Sequence, residues 1–212
     1  MALIELAKIN DNSFWAAWKV EESTDDLIAY ARLNEEERAV WRSIHHAQKQ
    51  VEWLSSRAAL ASILAKLDVP PQTLRKDDKG KPFLADSSHA VSLAHAYPYG
   101  VAILHQQQAV GIDIERPSDK LRRIQHKFLN ESEMRAVDNR APQLCLYWCI
   151  KETLYKLYGR KQLSLKDNIR VHLAQADGAI RAEASIVGHP SAGMYQLEGT
   201  ILEDFFVVYS VV

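Results

Sequence analysis

Two short segments of this chain place charged side chains where apolar neighbours dominate. The first is Gly111-Ile112-Asp113-Ile114-Glu115. Residues two apart on a strand share a face, so Asp113 and Glu115 project together while Ile112 and Ile114 enter the core. Adjacent carboxylates repel unless a cation lies between them, and hard oxygen donors suit Mg2+. Taken alone, the pentapeptide also fits a pair of solvated acids at a strand end. The second segment is Trp148-Cys149-Ile150-Lys151-Glu152-Thr153-Leu154-Tyr155-Lys156. Wound as an α-helix, it is ringed by Leu144, Tyr147, Trp148, Ile150, Leu154, Leu157 and Tyr158, which predicts a largely buried helix. Lys151, Glu152 and Lys156 must then be paired or bind something charged. Glu152 and Lys156 can lie on one face, and the simpler account is a helix-stabilising pair worth ~0.3–0.5 kcal/mol.

Three weaker elements accompany them. Gly80-Lys81-Pro82 is a tight turn from which Lys81 projects. Ser92-Leu93-Ala94-His95 ends a strand, a place where a lone histidine is commonly structural. Arg57 sits within Leu54-Ser55-Ser56-Arg57-Ala58-Ala59-Leu60, whose small residues let backbone or ligand approach closely.

These residues need elements to position them. Segments 2–9 and 13–20 read as short strands, and Ser23 or Thr24 as the cap of a helix reaching about Leu33. Asn34 ahead of Glu35, Glu36 and Glu37 opens a long helix or a helix pair ending before Pro70-Pro71. Strands follow around Phe83-Leu84, 90–94, 99–104 and 109–115. Asn130 with Glu133 is a capping pair, and Pro142 starts a helix running to about Gly159. Strands at 168–175 and 179–187 flank the hairpin signal Asp177-Gly178, and strands at 194–202 and 205–212 complete a meander. Antiparallel strands with a few long helices predict an α+β fold rather than a doubly wound sheet.

Composition narrows the function classes. The 212 residues are 47% apolar and 25% charged, the range of an ordinary globular protein with a real core. A formal charge of −1 provides no global field for nucleic acid or a membrane, so any anion site is local. No apolar stretch approaches the ~20 residues that span a bilayer, which predicts a cytoplasmic protein without membrane or nucleic-acid partners. Cys145 and Cys149 lack zinc-knuckle or CxxC spacing and read as buried thiols on one helix face.

The order G-K-P, S-L-A-H, G-I-D-I-E, W-C-I-K-E-x-x-x-K, from Gly80 to Lys156, resembles the 4′-phosphopantetheinyl transferase superfamily in its longer two-half form. The diagnostic pair of that family is G-[IV]-D-[IV]-E followed by W-[ST]-x-K-E-x-x-x-K. Cys149 here replaces the usual hydroxyl. The family commonly has N-[IL]-S-H where this chain has Ser92-Leu93-Ala94-His95. Its upstream Arg-x-x-x-Arg becomes Arg57 and Ala61, leaving Arg38, Arg42 or Lys49 to supply a second cation.

The resemblance implies a pseudo-dimer of two similar α+β halves, 1–105 and 106–212, with the active site in the cleft between them. It implies transfer of the 4′-phosphopantetheine group of coenzyme A to a serine of an apo acyl or peptidyl carrier protein, releasing 3′,5′-ADP. The carrier would belong to fatty-acid, polyketide or nonribosomal peptide synthesis, and the enzyme would be a monomer. Asp113, Glu115 and Glu152 would hold Mg2+ or Mn2+, Lys156 would serve the leaving phosphate, and Glu152 or a water it holds would take the serine proton. Lys81, His95 and Arg57 would hold the coenzyme phosphates, and Lys151 would contact them or orient Glu152. Segment 120–129 alternates Arg122, Arg123 and Lys127 with Leu121, Ile124, Phe128 and Leu129. It reads either as a plain amphipathic helix or as a basic face steering the carrier. Other readings are another Mg2+-dependent phosphotransferase or nuclease, and a relative that binds carriers without turnover. Neither a Walker loop nor a basic charge supports the former, and the intact acids and Lys156 oppose the latter.

Overall fold

A computed structural model describes residues 2–85, 87–159, 163–189 and 192–211. They divide into two units, Met1–Val110 and Gly111–Val212. The architecture is α+β, with two sheets and six helices among the described residues.

The first unit opens with the antiparallel strands β1 (Leu3–Asn10) and β2 (Ser13–Lys19). Helices α1 (Thr24–Ala31), α2 (Glu35–Arg42) and α3 (Ala47–Lys66) follow, the first capped by Ser23. Strands β3 (Leu74–Lys76), β4 (Pro82–Leu84), β5 (Ala90–Ala96) and β6 (Tyr99–His105) return to complete a sheet of order β1-β2-β6-β5-β4-β3. The short strand β3 carries no alternation that the sequence reading could detect. Helix α3 buries Leu54, Ala58, Ile63 and Leu64 against Ala16, Trp18, Leu84, Val91, Ala102 and Leu104. Gly100 in β6 permits this approach, since a Cβ there would lie 2.2 Å from the Ser56 amide nitrogen.

The second unit begins with β7 (Val110–Glu115), then α4 (Asp119–Phe128), α5 (Glu131–Val137) and α6 (Ala141–Tyr158). Gly159, at φ 68°, ends α6 in the left-handed region that glycine enters without a Cβ clash. Strands β8 (Ile169–Asp177), β9 (Ala179–Ile186), β10 (Gly193–Leu202) and β11 (Phe205–Val211) form the meander. The sheet order is β7-β11-β10-β9-β8. Leu144, Cys145, Leu146, Cys149, Ile150 and Leu154 of α6 pack on Ile169, Ala182, Ala184, Leu197, Phe206 and Val208. Both cysteines are free and buried, as their spacing suggested.

The units repeat one topology. Without β1, the first sheet reads β2-β6-β5-β4-β3, which matches β7-β11-β10-β9-β8 strand for strand, with three helices inserted after the first strand in each. The likeness reaches individual side chains. Asn34 and Asn130 each build a capping box with the third residue of the following helix, Glu37 and Glu133. The eleventh residue of the long helix is a cation in both, Arg57 in α3 and Lys151 in α6. Each acid acts electrostatically on its cation. By the same alignment Glu152 and Lys156 correspond to Ala58 and Ser62, so the first unit keeps the scaffold pair without the chemical groups.

Candidate active site

Strand alternation puts Gly111, Asp113 and Glu115 on one face of β7, and α6 lies against that face. A Cβ on Gly111 would come within 2.2 Å of the Thr153 carbonyl oxygen and 2.9 Å of the Leu157 nitrogen. The glycine of the motif is therefore a spacing device that lets helix backbone reach strand backbone. Thr153 secures the same helix by donating its hydroxyl to the Val208 carbonyl at 3.0 Å. Ile112 and Ile114 are buried on the opposite face of β7.

With the backbones this close, Lys156 reaches across. Its Nζ donates to Asp113 Oδ1 at 2.7 Å and to the Ile112 carbonyl at 3.1 Å. The lysine thus bridges two elements instead of closing an ordinary pair along its own helix. Asp113 Oδ2 is buried and accepts no hydrogen bond. Burial, then the neighbouring Asp113 charge, raises the Glu115 carboxyl above its ordinary value despite an opposing bond from the Arg116 amide. The same two causes, opposed by Lys156, push Glu152 up to about 7. Three carboxyl groups therefore share one partly buried locus with Lys156, Lys120 also acting on Glu115, and two of the three resist ionisation.

That arrangement fits a divalent cation. Among the described residues, no three His, Cys, Asp or Glu side chains are grouped so as to hold a metal ion. An orphaned buried carboxylate oxygen and two carboxyls raised by burial and by neighbouring negative charge are nevertheless what a hard cation would relieve. Asp113, Glu115 and Glu152 are the oxygen donors at hand.

Lys151 is paired, as a charge on a buried helix must be. It is fully buried, and its Nζ donates to Glu133 Oε2 at 2.7 Å, the Leu165 carbonyl at 2.9 Å and the Ile169 carbonyl at 2.8 Å. Three donors meet three acceptors, so nothing remains for a coenzyme phosphate. Glu133, the capping acid, also accepts from the Val171 amide at 3.0 Å. Lys151 is thus a clamp joining α5, α6 and the start of β8, one step round the helix from Glu152. The capping motif had marked Glu133 only as a helix start, and nothing in the spacing announced its second bond.

The phosphate candidates lie in the first unit. His95 in β5 is exposed and places Nδ1 3.2 Å from Oε2 of Glu52, a buried acid of α3 that sequence reading did not single out. Lys49 donates to the same oxygen. Ser92 and Ala94, the departures from the family pattern, are buried on the other face of β5. Lys81 follows a turn in which Asp77 accepts from the Lys79 and Lys81 amides, and burial lowers its ammonium despite Asp77. Arg57 stacks on Trp53, its guanidinium carbon 3.3 Å from the ring centroid, and donates to the Trp53 carbonyl and the Ser56 hydroxyl. Its Nε is buried without a partner, and burial lowers the group to about 9 against the pull of Glu37. Glu37 and Arg57 both line a surface pocket with Leu60, Leu64 and Gln72.

Helix α4 buries Leu121 and Phe128 and leaves Arg122, Arg123 and Lys127 exposed. Among the described residues, no helix is long and apolar enough to cross a membrane.

The sequence pattern of the 4′-phosphopantetheinyl transferase superfamily matches residues 109–199, from the start of β7 into β10. The chain is also 32% identical over 134 residues to the 4′-phosphopantetheinyl transferase PptT of Mycobacterium tuberculosis (strain ATCC 25618 / H37Rv). That match covers 59% of this chain and 57% of the relative. The matched region contains the glycine that seats α6, the three carboxylates and the bridging lysine, so over this part of its length the chain resembles the 4′-phosphopantetheinyl transferase superfamily.

Proposed function

We propose that this protein transfers the 4′-phosphopantetheine group of coenzyme A to a serine hydroxyl of an apo acyl or peptidyl carrier protein, with Mg2+ or Mn2+, releasing 3′,5′-ADP. The observation that carries this reading is Asp113, held by Lys156 through Oδ1 while its buried Oδ2 lacks any protein donor beside Glu115 and Glu152. The reaction displaces one phosphate of a pyrophosphate by a hydroxyl, which needs positioning and charge stabilisation more than covalent help. A bound divalent cation would supply charge neutralisation at the pyrophosphate oxygens, held by Asp113, Glu115 and Glu152.

The chain's own groups supply the rest. Lys156 stabilises or protonates the leaving phosphate, and its attachment to Asp113 and Ile112 fixes where that charge stands. Glu152, or a water it holds, takes the serine proton. His95, Lys81 and Arg57 hold the coenzyme phosphates, Arg57 through the nitrogen that has no protein partner. Lys151 leaves that set for the structural reason given above. The repeated α+β topology supports the longer two-half form of the family. The exposed arginines of α4 suit an acidic carrier surface.

Incubation with coenzyme A, Mg2+ and apo carriers of fatty-acid, polyketide and peptide synthesis, read by mass spectrometry, tests the proposal. A carrier that gains the phosphopantetheine arm, and fails to with Asp113→Ala, supports it. No modified carrier of any class overturns the reading, and activity that survives complete chelation overturns the metal assignment.

A further inference from the structure

Glu52, on α3, is a carboxylate only 4% exposed. Such a group persists when its lone pairs are filled. Gln48 donates to Oε1 at 3.0 Å, and Lys49, on the same helix, donates to Oε2. The remaining partner comes from a different element: His95 of β5, through Nδ1, to Oε2. The buried acid therefore holds a lysine and a histidine at the surface of the first unit, the latter a ring with two distinct nitrogens.

We propose that Glu52 is a positioning residue for coenzyme binding, fixing His95 by its Nδ1 so that Nε2 is presented to a coenzyme phosphate. This rests on the coenzyme reading of His95 above. To donate from Nε2 while Nδ1 stays bonded to Glu52, the ring must carry both protons, and a carboxylate at Nδ1 favours that form over either neutral tautomer. Lys49 works against a second positive charge nearby, and sharing Oε2 lets one acid offset both. Anchoring from a helix also removes rotational freedom from a ring that solvent would otherwise let turn, so less entropy is lost when the phosphate arrives. The second unit lacks the arrangement: the position of α6 that corresponds to Glu52 is Leu146, which is buried.

The test uses the full chain, with 3′,5′-ADP and adenosine as probes in calorimetric titrations, and the nitrogen shifts of the His95 imidazole, assigned by its loss in His95→Ala. Glu52→Gln keeps size and one acceptor but removes the charge. The proposal expects the wild-type His95 to show both ring nitrogens protonated, and Glu52→Gln to lose that signature, whereas a neutral wild-type ring overturns it. It also expects 3′,5′-ADP affinity to fall about fivefold with adenosine binding unchanged. Equal losses for both probes would mean a general defect of α3 and overturn it, as would unchanged affinity for both. Should Glu52→Gln fail to fold, the wild-type shifts still decide: an unprotonated Nδ1 overturns the proposal. His95→Ala with undiminished 3′,5′-ADP affinity instead removes His95 from the coenzyme site, a failure of the underlying reading that is separable from any result on Glu52.

Discussion

Replacing Lys151 with Met distinguishes a phosphate ligand from a structural clamp. Met keeps most of the aliphatic stem, so little cavity forms and the packing of α6 on β8 survives. What disappears is an ammonium and its three hydrogen bonds, to Glu133, Leu165 and Ile169. Glu133, 4% exposed, is left with the Asn130 and Val171 amides as its donors and no countercharge. Removing one member of a buried ion pair costs about 3–5 kcal/mol, well above the ~0.5–1.5 kcal/mol of an ordinary hydrogen bond. For a chain of this length that is a fall in Tm of roughly 6–20 °C. The assay is a pair of thermal melts with steady-state kinetics taken well below the transition, where the coenzyme KM should match the wild type. Adding Glu133→Gln to Lys151→Met removes the stranded charge and recovers part of the loss, giving a coupling of about 1–3 kcal/mol in the double-mutant cycle. A Lys151→Met protein that melts with the wild type yet raises the coenzyme KM tenfold would refute the clamp and return Lys151 to the phosphates.

The other predictions concern the site's spacing, charge and partner. Gly111→Ala drives a methyl into the Thr153 carbonyl, so α6 must retreat from β7. It should cost about 1–3 kcal/mol of stability and about 100-fold in kcat, read by denaturant melts and turnover, and wild-type turnover would show that the close approach is dispensable. In metal-free buffer the Glu152 carboxyl binds its proton up to about pH 7 when folded but only to its ordinary 4.5 when unfolded. The folded state therefore holds the extra proton in that window, and stability falls as pH rises through it. Glu152→Gln should be about 1–3 kcal/mol more stable than wild type at pH 8 and no different below pH ~4.5, and a gain independent of pH would contradict the linkage. Lys156→Ala should lower kcat far more than it raises the coenzyme KM, whereas a pure KM effect would make it a binding residue. Reversing Arg122 and Arg123 to Glu should raise the carrier KM and flatten its salt dependence while sparing coenzyme affinity, and an unchanged carrier KM at low salt would assign α4 to plain surface.

Much of the frame is local and was therefore legible. Asn34 and Asn130 cap helices because an amide side chain bonds the N3 amide within one turn, a relation complete within four residues. The alternation in β7 and the hairpin at Gly178 are likewise decided by neighbours in sequence. The resemblance to a transferase family rests on motif order alone, and from it Asp113, Glu115, Glu152 and Lys156 are the expected site residues.

Partner choice across the fold was not legible. Spacing along α6 offered Lys156 a neighbour in Glu152, yet the lysine bonds Asp113, 43 residues away, because Gly111 brings the strand within its reach. Lys151 resembled its neighbours in the motif and proved buried, since its position on the helix faces Glu133 and β8 rather than Glu152's side. The equivalence of Arg57 with Lys151, and of Glu37 with Glu133, rests on a topology that two diverged segments share without a visible repeat. A sequence records which groups recur within a turn of helix or along a strand. Which distant groups meet is set by how closely backbones pack, and here the absence of one Cβ, at Gly111, decides it for the strand and helix proposed to carry the chemistry.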